Sequence, residues 1–192
     1  HLACADNKDD LQNTNQLKAF LEMTSELNCP LSLAATGGIF LGKEYHFDIC
    51  RPGIGLYGGA PFKEAKAVVN LSLPVIQTRA LAPEEAVGYG ATWTAHRPSL
   101  IATLSAGYAD GLIRAMSGRA VVYANGIPCP IAGRVSMDLI TVDVTHLTDI
   151  PENMEILCEQ QSIDQLADEA GTIGYEILTS LGNRYNRSYT GV

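Results

Sequence analysis

Leu31-Ser32-Leu33-Ala34-Ala35 runs into Thr36-Gly37-Gly38, and a second short segment, Phe47-Asp48-Ile49-Cys50-Arg51, runs into Pro52-Gly53-Ile54-Gly55. Each is a mostly apolar stretch of strand length ending in a glycine turn, with a short helix expected behind the turn. Strand, glycine turn and helix in succession point to an α/β architecture with parallel strands. Upstream, residues 9–28 read as a helix. Leu17, Phe20, Leu21 and Leu27 fall near helical spacing with polar residues between them, and Pro30 follows the end.

Downstream of about residue 64 the texture changes to strand-like runs: 73–81, 100–105, 120–123 and 139–144. Asn125-Gly126 is a hairpin turn, since both residues tolerate positive φ. Thr141-Val142-Asp143-Val144 alternates as a half-buried strand should. Gly59-Ala60-Pro61 breaks the pattern, so a boundary is expected at 60–66, giving domains 1–62 and 63–192. Residues 162–181 read as two short helices, with Ser162 as a cap and Gly171 as the stop. Such a pair resembles a DNA-binding helix-turn-helix, but it lacks a basic second helix, and a small helical appendage to a β-domain is the preferred reading.

Bulk properties narrow the function. The 192 residues carry 13 Lys and Arg against 21 Asp and Glu, a net charge of −8. That balance argues against a nucleic-acid partner, which rests on clustered basic residues. It leaves room for a small anionic cofactor in a local basic pocket. Hydrophobic residues make up 46 %, enough for a core, and no apolar run reaches membrane-helix length. The five cysteines are scattered without a CxxC, so neither a disulfide framework nor a metal site is expected, and a reducing cytoplasm is the simpler setting. The opening His1-Leu2-Ala3-Cys4-Ala5-Asp6 is no signal peptide. It reads like the end of a buried strand entered midway, so a truncated or cleaved polypeptide is expected.

Three patches carry possible chemistry. Thr36-Gly37-Gly38 offers a hydroxyl and backbone N–H groups to an anion. Arg51-Pro52-Gly53-Ile54-Gly55 places a charge at a strand end before a close-approach turn. Singly these are weak signals. At successive ends of parallel strands they are stronger, because a barrel gathers its loops at one face. In Gly88-Tyr89-Gly90-Ala91-Thr92-Trp93, a tyrosine between glycines can be exposed with its hydroxyl free. A phenol with a pKa of about 10 becomes a base only where positive charge stabilises the phenolate. On the residues alone, a turn aromatic packed on a neighbour is the preferred reading.

In chain order the motifs resemble those of the alanine racemase family. Gly88-Tyr89-Gly90-Ala91-Thr92 is similar to its catalytic-tyrosine motif and Gly107-Tyr108-Ala109-Asp110-Gly111 to its entrance-tyrosine motif. Gly133-Arg134-Val135-Ser136-Met137-Asp138 is similar to its substrate-carboxylate motif, and Arg51 to Gly58 to its cofactor-contact segment. The resemblance runs from His1 to Tyr175 and beyond. It implies the last strands and helices of a TIM-type barrel followed by a mostly β C-terminal domain. It implies pyridoxal 5′-phosphate (PLP) as cofactor, L- and D-alanine as substrates, D-alanine for peptidoglycan as product, and a cytoplasmic homodimer with composite active sites. By position, Tyr89 would be the catalytic base for one face of alanine. His1 would lie against the PLP ring, and Arg51 would face its pyridine nitrogen. Thr36, Gly53, Ile54 and Tyr175 would hold the phosphate. Met137 would bind the substrate carboxylate through its backbone N–H, and Tyr108 would narrow the way in. Asp6, Arg114 and Arg134 would line the access corridor. Arginine cannot hand the pyridine a proton, which disfavours transamination while still allowing proton removal at Cα.

The chain departs from the family pattern in three ways. Lys8, Lys18, Lys43, Lys63 and Lys66 do not match the PLP-anchoring lysine motif, so the chain is expected to be inactive alone. Thr36 stands where the family mostly has serine. Ser32 stands where some members carry a histidine supporting the pyridine-facing arginine. A racemase for serine, lysine or several amino acids, and a non-catalytic binding module of a larger protein, are the alternatives.

Overall fold

The computed structural model describes residues 1–191. The chain forms two compact units, His1–Val68 and a second beginning at Val69.

In the first unit, helix α1 spans Leu11–Thr24. Asp10 starts it: its carboxylate accepts the Gln12 N–H at 2.8 Å, satisfying a donor that every helix start leaves open. The helix ends at Thr24 rather than at the expected residue 28. The Thr24 hydroxyl donates to the Phe20 carbonyl at 2.7 Å and the Ser25 hydroxyl to the Glu22 carbonyl at 3.0 Å. Hydroxyls that bond the nearby backbone compete with helix continuation.

The two strand-length segments lie side by side in parallel. A bridge joins Ala35 to Arg51, and the Arg51 N–H donates to the Ala34 carbonyl at 2.9 Å. The paired stretch is shorter than expected, because the Leu31 N–H turns to the Asp48 carboxylate at 2.8 Å instead of a strand carbonyl. Helix α2 (Thr36–Ile39) follows the first segment and a 3-10 turn (Gly53–Tyr57) follows the second. Both turns leave the carboxyl ends of adjacent parallel segments, where α/β folds gather their binding loops. Underneath, Leu2, Leu33, Ala34 and Tyr45 form a buried core that α1 covers with Leu17 and Phe20. Phe20 meets Phe47 edge-on, with ring centroids 4.9 Å apart.

Among the described residues, the second unit carries eight strands in chain order: β1 (Leu71–Leu81), β2 (Ala86–Val87), β3 (Trp93–Thr94), β4 (Ser99–Leu104), β5 (Val121–Ala124), β6 (Ile127–Pro130), β7 (Ile140–Asp143) and β8 (Asn153–Leu157). Six form one antiparallel sheet in the order β6-β5-β8-β1-β4-β7, while β2 and β3 pair separately. β1 organises the sheet because it pairs twice. Its first half faces β8 (Leu73 opposite Met154) and its second half faces β4 (Leu81 opposite Ser99). A bulge between Val75 and Gln77 lies near the changeover, and bulges bend and twist a strand. At the far side Ile131, just past β6, bridges Val142 of β7, and the Ala132 N–H donates to the Thr141 carbonyl at 2.8 Å. The outer strands thus meet and the sheet becomes barrel-like, which leaves little open edge. Leu73, Leu104, Val122, Ile140, Met154, Ile156 and Leu157 are fully buried. Each such side chain stabilises the fold by about 1.5–3 kcal/mol on leaving water.

The expected hairpin is present: Asn125 and Gly126 have φ of 50° and 81°. The second strand of that hairpin, β6, contains Pro128 and Pro130, which supply no N–H and read as strand breakers, yet they are tolerated in an outer position. The short pair β2 and β3 and the strand β8 were not foreseen. β8 mixes Glu155 with the buried Met154 and Ile156. Helices α3 (Ile163–Ala170) and α4 (Gly174–Ser180) occupy the expected stretch. Ser162 and Gln165 form a reciprocal capping box, and Gly171 closes α3 at φ 68°. The side of α3 carrying Ile163, Leu166, Ala167 and Ala170 is buried.

Candidate active site

In the first unit, Arg51 stands where its strand segment ends. Its guanidinium donates to the Ser32 hydroxyl, to the Leu33 carbonyl at 3.1 Å and to His1 Nδ1 at 3.2 Å. The Ser32 hydroxyl in turn donates a hydrogen bond to the Ile49 carbonyl at 2.7 Å. None of these three partners of Arg51 is a carboxylate. Because Arg51 donates to Nδ1, the His1 ring is the neutral tautomer with its proton on Nε2. At position 32 the serine hydroxyl supplies an acceptor that holds Arg51.

Thr36 is buried, and its Oγ1 accepts the Gly55 N–H at 3.2 Å. A hydroxyl oxygen that accepts this bond retains its own proton to donate to an anion. A Cβ on Gly55 would come within 2.9 Å of Thr36 Cγ2, and Gly53 has φ +40°. Only glycine lets the Gly53-Ile54-Gly55 backbone approach Thr36 this closely. A hydroxyl, a glycine turn and an arginine suit a phosphate and a pyridine nitrogen, so the residues present fit PLP.

In the second unit, Tyr89 opens a 3-10 turn between β2 and β3, flanked by Gly88 (φ 77°) and Gly90 (φ 74°). The turn is seated on the carboxylate motif. A Cβ on Gly133 would meet the Val87 carbonyl at 2.9 Å, and one on Gly90 would meet Arg134 Nη1 at 3.2 Å. Tyr89 as a whole is 74 % exposed. A packing aromatic would be covered by a neighbour, so the exposure disfavours the packing reading and leaves the hydroxyl accessible. The Arg134 guanidinium beneath the turn brings positive charge to the tyrosine's own loop.

Tyr108 and Met137 lie on loops tied to each other. The Tyr108 N–H donates to the Ser136 carbonyl and the Ala109 N–H to the Met137 carbonyl, both at 2.9 Å. The Ser136 carbonyl and the Met137 N–H belong to one planar trans peptide and point in opposite directions. The bond from Tyr108 therefore aims the Met137 N–H away from the Tyr108 turn. Ser117 adds a further tie from the Arg114 turn, accepting the Val135 N–H at 2.9 Å. Tyr175 lies in the first turn of α4, half exposed.

Thus His1, Arg51, Thr36, Gly53 and Ile54 gather in the first unit, with Asp6 beside Gly37. In the second unit the Tyr89, Tyr108, Arg114 and Met137 loops are joined by named bonds or close contacts, while Tyr175 stands on α4. Sequence reasoning missed the anchoring part of Ser117, whose signal is only a hydroxyl after a short turn. One further cluster invites a nucleophile reading: Cys129 Sγ lies 3.9 Å from His146 Nε2. Burial pushes the Cys129 thiol up to about 11, so it stays protonated near neutral pH and does not attack. Among the described residues, no group of His, Cys, Asp and Glu is placed to hold a metal, and no helix is long and apolar enough to cross a membrane.

Known proteins align along the whole chain. The family profile "Alanine racemase, C-terminal domain" matches residues 68–189, and "Alanine racemase, N-terminal domain" matches 1–61. The alanine racemase of Dinoroseobacter shibae is 61 % identical over 191 residues, covering 100 % of this chain and 55 % of that protein. A catabolic alanine racemase of Agrobacterium fabrum is 45 % identical over 201 residues, covering 98 % of this chain and 51 % of its own length. The crystal structure of Bartonella henselae alanine racemase, which carries covalently bound pyridoxal phosphate, matches with TM-score 0.92 and 42 % identity, over 98 % of this chain and 55 % of that one. The Streptomyces coelicolor enzyme matches with TM-score 0.93 and 28 % identity, over 100 % of this chain and 55 % of its own. The chain spans about half the length of the relatives it matches.

Proposed function

Because the chain belongs to the alanine racemase family, we propose that it works as the C-terminal part of a PLP-dependent enzyme interconverting L- and D-alanine. Residues 1–62 are the last units of a TIM-type barrel and 63–192 the C-terminal domain. The whole enzyme is a cytoplasmic homodimer that supplies D-alanine for peptidoglycan. Each active site combines the barrel of one subunit with the C-terminal domain of the other.

When bound, PLP draws electrons from the α-carbon of the amino acid attached to it. The Thr36 and Tyr175 hydroxyls and the Gly53 and Ile54 N–H groups would bind its phosphate, and His1 would lie against its ring. Arg51 would face the pyridine nitrogen without giving it a proton, which would weaken that electron withdrawal and work against transamination. Met137 receives the substrate carboxylate on its backbone N–H. Tyr108 narrows the access path that Asp6, Arg114 and Arg134 line. Tyr89 takes or gives the α-proton on one face, and a base outside this chain serves the other. Inversion at one carbon needs two such groups on opposite faces. The observation that carries the reading is Tyr89 itself: its turn is seated on Gly133 and Arg134 while its ring stays open.

The test is racemisation by the chain alone and by the chain joined to an N-terminal half taken from a close relative, with L-alanine, L-serine and L-lysine compared. Activity on alanine is expected only in the joined protein. Two inactive full-length variants, one without the PLP-anchoring lysine and one with Tyr89→Phe, should regain activity when mixed. Confirmed heterodimers without activity would reject shared sites. None of the five lysines here matches the anchoring motif. Borohydride reduction of the chain with PLP should therefore label no single lysine, and a stoichiometric adduct at one site would contradict this.

A further inference from the structure

We propose that Arg184 is a positioning residue that clamps the Tyr108 turn to the Met137 loop by gripping Asp110 and Asp138 with one guanidinium. The inference rests on the reading of those loops as alanine-facing.

Asp110 closes the Tyr108 turn from inside, its side chain only 8 % exposed. A buried carboxylate costs several kcal/mol unless it is paired and hydrogen-bonded. One oxygen accepts the Gly107 N–H at 2.9 Å, and the other faces Arg184 Nε at 3.2 Å. Arg184 Nη1 then donates at 2.7 Å to Asp138, the residue directly after Met137. A planar guanidinium presents its donors in a fixed fork, so one arginine spans two carboxylates that a lysine ammonium cannot hold in the same geometry. The segment is tied back as well. The Gly182 N–H donates to the Asp110 carbonyl at 3.1 Å, and the Arg187 guanidinium donates to the Leu181 and Gly182 carbonyls at 3.0 and 3.1 Å.

The two arms differ in kind. Arg184 and Asp138 are each about half exposed (56 % and 50 %), and such a pair adds little stability by itself. Asp110 is the arm that stabilises. The Asp138 arm sets geometry: it keeps the Met137 loop against the Tyr108 turn, and the Tyr108-to-Ser136 bond across that junction aims the Met137 N–H.

The experiment uses the full-length, PLP-loaded protein with Asp138→Asn, Arg184→Met, Arg184→Lys and the Asp138→Asn/Arg184→Met double variant. It reads three quantities: hydrogen exchange at the Tyr108 and Ala109 amides, KM and kcat for alanine, and the unfolding midpoint. Asp138→Asn is expected to leave the midpoint unchanged. It should speed exchange at those two amides and raise KM roughly three- to fivefold, with kcat nearly constant. Arg184→Met should do the same and also lower the midpoint. The double variant should match Arg184→Met in KM, because both changes break one contact. Arg184→Lys should recover the midpoint and keep the raised KM. Wild-type exchange and KM in Asp138→Asn, or full recovery of KM by Arg184→Lys, overturns the clamp. If the unaltered protein does not racemise alanine, the functional reading falls, and amide exchange alone still decides whether the clamp exists.

Discussion

Tyr89→Phe in the full-length enzyme should lower alanine turnover by about 10²–10⁴-fold, the usual contribution of a positioned acid or base. The change removes one hydroxyl from a ring that is mostly exposed. The turn that carries it is set by the glycines around it and by its seat on Gly133 and Arg134. Folding and PLP content should therefore stay near wild type, since the residues proposed to bind the phosphate and the pyridine are elsewhere. The defect should also be directional. Proton removal from L-alanine fails, while removal from D-alanine proceeds through the base on the opposite face. Solvent deuterium then washes into D-alanine without net inversion. Turnover and α-deuterium exchange measured separately from each enantiomer give the answer. Near-wild-type rates in both directions would falsify the catalytic role and leave Tyr89 as an exposed turn residue.

Gly107→Ala should strongly destabilise the second unit. An added Cβ would overlap the carbonyl oxygens of Ser136 and Met137, and these backbone atoms cannot swing aside. The same two carbonyls accept the Tyr108 and Ala109 N–H groups at 2.9 Å. Overpacking and loss of both bonds together should cost about 3 kcal/mol or more. That lowers the unfolding midpoint by about 10 °C or more in a domain of this size. Gly118→Ala is the control. Gly118 has φ +65° with nothing within 4 Å of the added atom, so it costs backbone strain alone, on the order of 1 kcal/mol. Thermal unfolding of both variants separates the two effects, and equal midpoints would refute a tight junction between the loops.

Much of this protein was legible locally. A capping box between Ser162 and Gln165, a stop at Gly171 and a turn at Asn125-Gly126 are fixed by residues within a few positions of each other. Their chemistry needs no distant partner. The strand-to-glycine-turn segments ending at Ala35 and Arg51 were legible in the same way, whereas the motif stretches around Tyr89, Tyr108 and Met137 stood out only through their resemblance to a known family. The ends of α1 and the strands β6 and β8 were less legible. Hydroxyls, prolines and a charge obscure the pattern there, and a partner strand supplies what propensity does not.

The sequence alone determined which residues are proposed to bear the chemistry and in what order they occur. The tertiary structure decided what holds them. Ser32 lies beside Arg51, Arg134 beneath Gly90, and Arg184 between Asp110 and Asp138. The segment after β6 reaches β7 through Ile131 and Val142, while β1 pairs with both β8 and β4. Each of these meetings joins residues far apart in the chain. Their pairing depends on which burial and closure the whole sheet reaches, and no local period or propensity records it.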